Sequence, residues 1–474
     1  MKTVTDGKVA FAGRIVMLGC GSIGQGVLAL LFKHIDITPD RMTVIAADET
    51  GSEVARSYSV TFEQVTLTQE NYRKVVGGRL QPGDFLLNLS VDVSSLALIE
   101  MAAEKGALYL DTCIEPWLGG YVDMHLSLAD RSNYGLWLKS KELRGKLGSD
   151  APTAVVTHGA NPGLVSHFVK QALINIARGL GRDDTPPSNR AGWAKLAQSL
   201  GIKVIHIAER DTQVANIPKA VGEFVNTWSI DGFVGEGLQP AELGWGTHER
   251  HFPGDGRRHN YGPGSAIYLM RPGCSQRVRT WTPLEGPFHG FLITHGESIS
   301  LASYLTVEEG SEAVYRPTVH YAYHPADDAV LSLHELNGKN GIAQTRRRLM
   351  MDEIVSGVDE LGVLLCGHDK GAYWYGSQLS IEEARNVAPH NNATSLQVTS
   401  PVMAGVIWAI ENPKRGITDP EEMDFQRILD LCGPYLGPVV GKYSDWTPLT
   451  GRERLFPEDL DREDPWQFKN FRVL

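Results

Sequence analysis

The sequence has few cysteines and shows none of the spacings that would give them a shared structural role. Its five cysteines are far apart, at positions 20, 113, 274, 366 and 432, and form no Cys-x-x-Cys or Cys/His cluster. This pattern excludes a zinc ribbon and a disulfide framework, and indicates reduced thiols. Residues 1–14 lack the apolar core and cleavage site of a secretion signal. We therefore expect a cytoplasmic protein.

Long apolar runs and an excess of positive charge are also lacking. The longest apolar stretch, near Val402–Ile410, is far shorter than the roughly 20 residues of a membrane span. A net charge of −11 disfavours nucleic acid and anionic membranes as main partners. With 474 residues, of which 42% are hydrophobic and 21% charged, the chain has the composition of a globular protein of two or three domains.

A glycine-rich turn near the start of the chain is its most informative motif. The short apolar run Ile15–Leu18 predicts a buried strand, and a helical spacing of apolar residues follows the turn. Gly19 permits the tight turn, Gly21 lets backbone approach a pyrophosphate, and Gly24 lets the helix pack on the strand. Strand, G-x-G-x-x-G and helix in this order predict a dinucleotide site. The candidate residues are Gly19, Gly21, Ser22, Ile23 and Gly24.

An acid follows the second predicted strand of this unit, Thr43–Ile45. Asp48 lies at the distance where a carboxylate binds the ribose 2′-hydroxyl of NAD, and no arginine follows closely to favour NADP. The cofactor expected is therefore NAD. The alternative is a glycine turn in some other α/β unit.

Polar loops follow three further predicted strands, Asp84–Leu89, Ala107–Leu110 and Ala154–Thr157. In a doubly wound sheet, loops at the carboxyl ends of strands line the ligand crevice. Glu115 precedes a proline, which holds its backbone in extended geometry. Its carboxylate could reach a bound ligand, and the alternative is that it is a turn acid beside Trp117. The further candidates for cofactor contact in these loops are Asn88, Ser90, Val91, Thr112, Asn161 and Pro162.

The second half of the chain combines acids with tryptophan. Val204–Ala208 predicts a strand that leads to Glu209, and Phe224–Ile230 predicts a strand that carries Trp228. The glycine-rich window 221–250 holds five acids, including Glu236, and one base. This composition fits the wall of a pocket for an organic cation. Core tryptophans and solvated acids are the alternative interpretation.

The remaining segments predict strands, histidines and a long helix. A strand over Phe291–Thr294 leads to His295-Gly296-Glu297, and no histidine pair has a metal-site motif, so no metal is expected. Thr394–Ile410 predicts a long apolar helix that returns to the first domain. The charged tail from Arg452 is expected on the surface.

Taken together, these motifs closely resemble bacterial homospermidine synthases, with saccharopine dehydrogenase-like and carboxynorspermidine dehydrogenase-like enzymes as wider relatives. The resemblance runs from the glycine turn to about Glu458. The segments that carry it are GCGSIGQG, NLSVDVSSL, DTCIEPW, GANPGLVSHFVKQAL, IHIAERDTQ, FVNTWSIDGFVGEGLQPAELGWGT, THGESIS, HYAYHP, AYWYGSQLS and DWTPL.

The resemblance implies both an α/β fold and an activity. It implies a Rossmann NAD-binding domain over 1–160, a mixed α/β domain with the substrate pocket and dimer interface over 161–390, and a C-terminal helix and tail over 391–474. It implies that two putrescine molecules become homospermidine and ammonia, with NAD reduced and reoxidised in the site. Spermidine and diaminopropane are further candidate substrates, and a homodimer is expected.

The resemblance also assigns roles to individual residues. It implies catalytic roles for Glu115, Asn161, Glu209, Trp228, Glu236 and His295. It implies substrate contacts for Asp92, Glu115, Glu209, Trp228, Glu236 and Glu297. A net dehydrogenase of the carboxynorspermidine or saccharopine type is the alternative, and it would need a carboxylate-binding arginine such as Arg210 or Arg250. A third possibility is an NAD-binding sensor without catalysis.

Overall fold

A computed structural model describes residues 4–5 and 7–473. Its N-terminal part contains a parallel sheet whose central strands are buried at every residue. Its strands, in spatial order, are Ile417–Thr418, Ala154–Val155, Leu108–Asp111, Phe85–Asn88, Ile15–Leu18, Met42–Ala46 and Thr61–Gln64. This order reverses beside Ile15–Leu18, the position at which doubly wound sheets bind ligands. A small sheet of Val4–Thr5, Lys8–Ala10 and Ile35–Asp36 lies apart from it.

The connections between these strands are helical, as the parallel arrangement requires. Ser94 begins one helix by accepting a hydrogen bond from the Ala97 N–H, and Gly106 ends it in the left-handed conformation. The helices of this part are Ser22–His34, Ser52–Ser57, Tyr72–Val75, Ser95–Lys105 and Asn133–Leu147, with a 3₁₀ turn at Pro39–Arg41.

The second part contains a large mixed sheet. Its central strand, Val204–Asp211, runs parallel to Thr318–His324 and antiparallel to Val358–His368. The spatial order is Gly256–Arg258, Ala266–Pro272, Pro240–Gly244, Thr318–His324, Val204–Asp211, Val358–His368, Gly371–Ser380 and Val439–Ser444, with Gly286–Phe291, Arg277–Thr282 and Arg472–Val473 attached beside it. The short strand pairs are Val214–Ala215 with Ile354–Ser356, Glu223–Asn226 with Arg346–Leu349, and Val307–Glu309 with Glu312–Tyr315.

Helices cover this sheet and join it to the first. They are Leu164–Gly179, Arg190–Ser199, Ile230–Leu238, Gly296–Tyr304, Asp327–Gly338, Ile381–Val387, Ala393–Glu411, Phe425–Cys432 and Phe468–Phe471, with 3₁₀ turns at Gly273–Ser275, Pro420–Glu422 and Gly433–Tyr435. The α/β fold class, with a Rossmann unit and a second mixed domain, is confirmed.

One long helix connects the C-terminal part of the chain to the Rossmann unit. Ala393–Glu411 begins at Asn392, whose side chain accepts from the Ser395 N–H, and packs against the helix of the glycine turn. The strand Ile417–Thr418 then extends the Rossmann sheet. The domain boundaries near 160 and 390 remain predictions.

That helix is longer than the apolar stretch noted in the sequence. In the described residues it is the one helix long and apolar enough to cross a membrane, but 89% of its apolar window is buried inside the protein. The stretch near Val402–Ile410 is its second half, and the long apolar helix predicted over Thr394–Ile410 is confirmed.

Three local predictions were wrong. Phe224–Ile230 is not one strand, because the strand ends at Asn226 and Ser229 caps a helix that begins at Ile230. The strand that we predicted over Phe291–Thr294 is instead Gly286–Phe291, so residues 292–294 lie beyond its end. The tail after Arg452 is not confined to the surface, since Trp466 is buried and Arg472–Val473 pairs with Arg277–Thr282.

Candidate active site

The glycine turn has the shape that a dinucleotide requires. Gly19 has φ +85°, and a Cβ added at Gly24 would lie 2.7 Å from the Gly19 carbonyl oxygen, so both positions need glycine. A Cβ added at Gly21 would meet nothing within 4 Å, which leaves open space beside the backbone. The helix Ser22–His34 begins there without an acid in its first turn. Its N-terminal N–H groups therefore suit a phosphate.

Asp48 lies beside this turn and is exposed. The Cys20 thiol lies 3.6 Å from the carbonyl oxygen of Gly51, which brings the loop after the second strand against the glycine turn. Burial, and then the charge of Asp48, raise the pKa of Cys20 to about 11. Asp48 accepts a hydrogen bond from the Thr50 N–H at 2.8 Å. A contact between Asp48 and ribose remains a prediction.

A cavity of about 130 Å³ extends from the glycine turn to the large sheet. The predicted site residues that line it are Ile23, Asn88, Ser90, Val91, Thr112, Glu115, Asn161, Pro162, Glu209, Trp228, Glu236 and His295. Gly19, Gly21, Ser22, Gly24 and Asp48 belong to the adjoining turn and loop. Asp92 and Glu297 lie outside the lining, next to Glu115 and His295 respectively.

Glu209 is the most strongly connected acid of the cavity. It lies on the central strand Val204–Asp211 and is 2% exposed. Its Oε2 accepts from the Asn161 side chain at 2.7 Å and from the Tyr321 hydroxyl. Burial raises the pKa of Glu209 to about 7, although both hydrogen bonds favour the charged form. Glu209 is therefore balanced between its two protonation states at neutral pH.

His295 lies between two carboxylates. Its Nε2 is 3.2 Å from Glu236 and its Nδ1 is 3.2 Å from Glu297. Burial opposes a charged imidazole, but the two carboxylates outweigh it and raise the pKa of His295 to about 10. His295 is thus a cation at neutral pH and donates from both ring nitrogens.

Glu115 follows a strand of the Rossmann sheet and faces the cavity from that side. Its Oε2 lies 3.5 Å from the Asp92 N–H, and Asp92 has φ +63°. Burial, followed by the charges of Asp92 and Glu236, raises the pKa of Glu115 to about 8 in spite of the Asp92 N–H. Of the two interpretations of Glu115, its position favours ligand contact over a simple turn acid.

Trp228 lies one residue before the cap of the helix Ile230–Leu238, where the chain turns out of the sheet. Its Nε1 donates to the Tyr323 hydroxyl at 3.1 Å, and its ring lies 5.0 Å from that of Phe233. The indole is half-buried and borders the cavity. An aromatic face in this position can bind an organic cation.

Sequence reasoning missed several residues of the cavity, among them Tyr321, and also Tyr323, which lies outside the lining. Tyr321 and Tyr323 stack at 5.0 Å, and they hydrogen-bond Glu209 and Trp228 respectively. The alternation of HYAYHP on one strand was the signal that could have found them, because residues two apart share a face of a sheet. The other lining residues not predicted are Leu89, Cys113, Gly159, Ala160, Ser229, Gly232, Thr394 and Val398. Among the described residues, no group of three His, Cys, Asp or Glu could hold a metal.

Comparison with known proteins finds relatives over nearly the whole chain. Residues 15–155 match the saccharopine dehydrogenase NADP binding domain, and residues 159–444 match the saccharopine dehydrogenase C-terminal domain. The chain is 54% identical to a homospermidine synthase of Blastochloris viridis, and 51% identical to one of Mesorhizobium japonicum. The match covers 97% of this chain in both comparisons, and 97% and 96% of the respective relatives.

The chain belongs to the homospermidine synthase family. The crystal structure of a homospermidine synthase from Legionella pneumophila, solved in complex with NAD, is 52% identical. It superposes with a TM-score of 0.93 over 99% of this chain and 100% of that one. The resemblance to this family inferred from the sequence motifs is therefore confirmed.

Proposed function

We propose that this chain uses NAD to convert two putrescine molecules into homospermidine and ammonia. The observation that carries the proposal is the single cavity that joins Ile23 of the glycine turn to Glu115, Glu209 and Glu236. A dication such as putrescine needs several carboxylates to hold it, and a redox step needs the cofactor next to them. Membership of the homospermidine synthase family supports the same activity.

The glycine turn and its neighbours fit NAD. The open space beside Gly21 and the free helix N-terminus suit its pyrophosphate. Asp48 and Glu49 follow the second strand, and carboxylates there favour a ribose hydroxyl over the phosphate of NADP. When bound, NAD accepts a hydride from the carbon beside an amine and later returns it.

Glu209 is the proton acceptor in this proposal. An amine can lose a hydride from its α-carbon only when its nitrogen carries a free lone pair, and putrescine amines have pKa values near ~10. One nitrogen must therefore lose a proton inside the site. With a pKa raised to about 7 by burial, Glu209 takes a proton more readily than an exposed glutamate.

The other groups hold the charges that remain. Glu115 and Glu236 face the same cavity and are placed to bind the distal ammonium, whose positive charge favours the ionised form of Glu115. His295 is paired with Glu236 and Glu297, which fixes the position of Glu236. The Trp228 face stabilises a cationic intermediate by roughly 1 to 2 kcal/mol without fixing it in an ion pair.

The cavity disfavours an anionic substrate of the carboxynorspermidine or saccharopine type. Arg210 pairs with Glu285 and Asp327, and Arg250 pairs with Asp461 and Glu463. Within the part of the chain that the structure describes, no arginine or lysine lines the cavity. A substrate carboxylate would therefore face carboxylates.

The proposal includes a cytoplasmic homodimer. All five cysteines are free, which fits a reducing compartment. In the second domain, apolar side chains are exposed at Val221, Leu284 and Ile342, and these are our candidates for contact with a second copy. Sedimentation or light scattering of the purified protein tests the dimer.

One assay tests the activity. The protein is incubated with putrescine and less than one equivalent of NAD, and homospermidine, ammonia and free NADH are measured. Homospermidine and ammonia in equal amounts without accumulating NADH support the proposal. Accumulating NADH would favour a net dehydrogenase, and absence of all three products would favour a sensor. Spermidine and diaminopropane in place of putrescine define the substrate range.

A further inference from the structure

A small chamber lies directly behind the active-site cavity. The two share a wall made of Cys113, Pro162, Glu236 and His295, which line both. The chamber holds about 20 Å³. Since about 10–15 Å³ is enough for a water molecule, it has room for one molecule of that size.

Two buried polar atoms of residues that line the chamber lack a partner. Trp137 contributes its indole N–H, and Gln239, which is 2% exposed, contributes its amide oxygen. Within the described chain, neither Nε1 of Trp137 nor Oε1 of Gln239 has a hydrogen-bond partner. One is a donor and the other an acceptor. A molecule seated between them would have to accept one hydrogen bond and donate another.

Two other lining residues, Asn133 and Thr294, are held in place by hydrogen bonds to each other and to Glu242, which lies outside the lining. Glu242 accepts from the Asn133 N–H at 2.7 Å and from the Thr294 hydroxyl at 2.8 Å. The Asn133 side chain donates to Thr294 at 2.9 Å. Because these groups already have partners, Trp137 and Gln239 are the ones that remain to bind a guest.

We propose that this chamber receives the ammonia that leaves during the reaction, an inference that rests on the proposed function. Ammonia has one lone pair and three N–H groups. Its lone pair accepts from Trp137, and its N–H groups donate to Gln239 and to the Glu236 carboxylate on the shared wall. It is also the one product of the reaction that a space of this size admits.

The bond changes that deliver ammonia to the chamber balance without any further reactant. The second amine attacks the C=N carbon of the oxidised substrate and forms a new C–N bond. A proton moves from the attacking nitrogen to the original one. The original C–N bond then breaks with its electron pair on the departing nitrogen, which leaves as neutral ammonia. The lone pair of the new nitrogen forms the C=N bond.

The same exchange with ammonia as the attacking amine gives a direct test. The whole protein is incubated with NAD, putrescine and ¹⁵N-labelled ammonium chloride at constant ionic strength, and ¹⁵N in putrescine and homospermidine formation are both measured. We expect ¹⁵N incorporation to saturate with ammonium. In Gln239→Leu and Trp137→Phe we expect the ratio of ¹⁵N incorporation to homospermidine formation to fall about five-fold, because each loses one hydrogen bond to the guest.

Gln344→Leu is the matched control. Gln344 is 4% exposed and its Oε1 also lacks a partner in the described residues, but it lines neither the cavity nor the chamber. We expect the wild-type ratio in this variant.

An unchanged ratio in both Gln239→Leu and Trp137→Phe would overturn the proposal, as would an equal fall in Gln344→Leu. If Gln239→Leu does not fold, the proposal is tested by the ratio in Trp137→Phe and by the dependence of ¹⁵N incorporation on ammonium concentration in the wild type. In the wild type, incorporation that rises linearly with ammonium would mean capture from bulk solvent, and the chamber would have no such role. Absence of homospermidine altogether would instead overturn the proposed function.

Discussion

Nδ2 of Asn161 lies 2.7 Å from Oε2 of Glu209 and donates a hydrogen bond to it. Asn161 follows the strand Ala154–Val155 of the Rossmann sheet, whereas Glu209 lies on the central strand of the large sheet. This one bond therefore couples a loop that we assign to cofactor contact with the acid that we assign to proton transfer. The proposed reaction needs the cofactor beside the proton acceptor, and this contact between the two sheets brings their residues together.

Glu209→Gln should lower kcat/KM for homospermidine formation by roughly 10²- to 10⁴-fold, the usual contribution of a general base. In the wild type, kcat/KM should rise as pH increases through about 7, because the carboxyl must be deprotonated to accept a proton. The variant should lack this rise. A pH–rate profile of both proteins checks the prediction. If the variant kept the rise in kcat/KM on the acidic side (the acidic limb), a residue other than Glu209 would be the base.

Tyr321→Phe should move that acidic limb to higher pH. The Tyr321 hydroxyl donates to Glu209 and lowers its pKa, so its removal raises the pKa of Glu209. A hydrogen bond to a charged group contributes about 1.5 kcal/mol, which corresponds to a shift of about one pH unit. Tyr323→Phe is the control, because that hydroxyl bonds Trp228 instead. If the acidic limb lay at the same pH in Tyr321→Phe and Tyr323→Phe, Tyr321 would not be the residue that lowers the pKa of Glu209.

Trp228→Ala should lose most of the activity and still fold, because the indole is half-buried at the cavity edge. Loss of roughly 1 to 2 kcal/mol of cation stabilisation corresponds to about a ten-fold fall in kcat/KM. Trp228→Phe keeps an aromatic face and should retain part of the activity. Steady-state kinetics with circular dichroism spectra test this, and near-normal turnover in Trp228→Ala would rule out the cation platform.

The Rossmann unit could be predicted from the sequence because its signals are local. A strand, a glycine turn and a helix follow one another within Ile15–Leu31, and the structure needs glycine at Gly19 and Gly24 for steric reasons. The loops that carry Glu115 and Asn161 were found by the same logic, since each follows a strand of a parallel sheet. Most predicted site residues consequently line one cavity.

The positions that sequence reasoning missed depend on contacts between distant segments. The error over Phe224–Ile230 is the exception, because it is local: the strand is Glu223–Asn226, and β-branched and aromatic neighbours made it look longer than it is. Ser229 ends that segment because it caps the next helix, accepting from the Gly232 N–H. The partner of Glu209, Tyr321, is more than a hundred residues away in the sequence. Burial of Trp466 likewise depends on the large sheet and not on its charged neighbours.

His295→Gln should change how thermal stability depends on pH. The pKa of His295 is raised from 6.5 to about 10 in the folded protein by Glu297 and Glu236, against the effect of burial. Its contribution is therefore fully present below pH 6.5 and is lost as pH rises toward 10. The Tm gap between wild type and variant should shrink over that window, measured by differential scanning calorimetry. Exposed His125→Gln is the control, and a constant gap in His295→Gln would show that the imidazole is not charged.

Asp211 and Asp359 should respond differently to the same substitution. They face each other on neighbouring strands, and the Thr394 hydroxyl lies 3.2 Å from Asp211 and 2.7 Å from Asp359. Asp211 also accepts from the Gln213 N–H at 2.8 Å and from Thr227 at 3.1 Å. Burial, followed by the charges of Glu209 and Asp211, raises the pKa of Asp359 well above its usual range. Burial also raises the pKa of Asp211, but the hydrogen bonds from Gln213 and Thr227 favour its charged form, so we expect the proton of the pair on Asp359 and the charge on Asp211.

Asp359→Asn should then be as stable as the wild type or more stable at pH 8, because an amide resembles the protonated carboxyl and cannot ionise. A carboxyl whose pKa is raised on folding destabilises the folded state as pH rises from about 4 toward that raised value, so the advantage of the variant should grow between pH 5 and 8. Asp211→Asn should lower the free energy of unfolding by about 1–3 kcal/mol, since its amide nitrogen would face hydrogen-bond donors. Denaturant unfolding at both pH values tests the asymmetry. If Asp359→Asn were the less stable of the two at pH 8, the charge would reside on Asp359, and Asp211 would be the carboxyl that holds the proton.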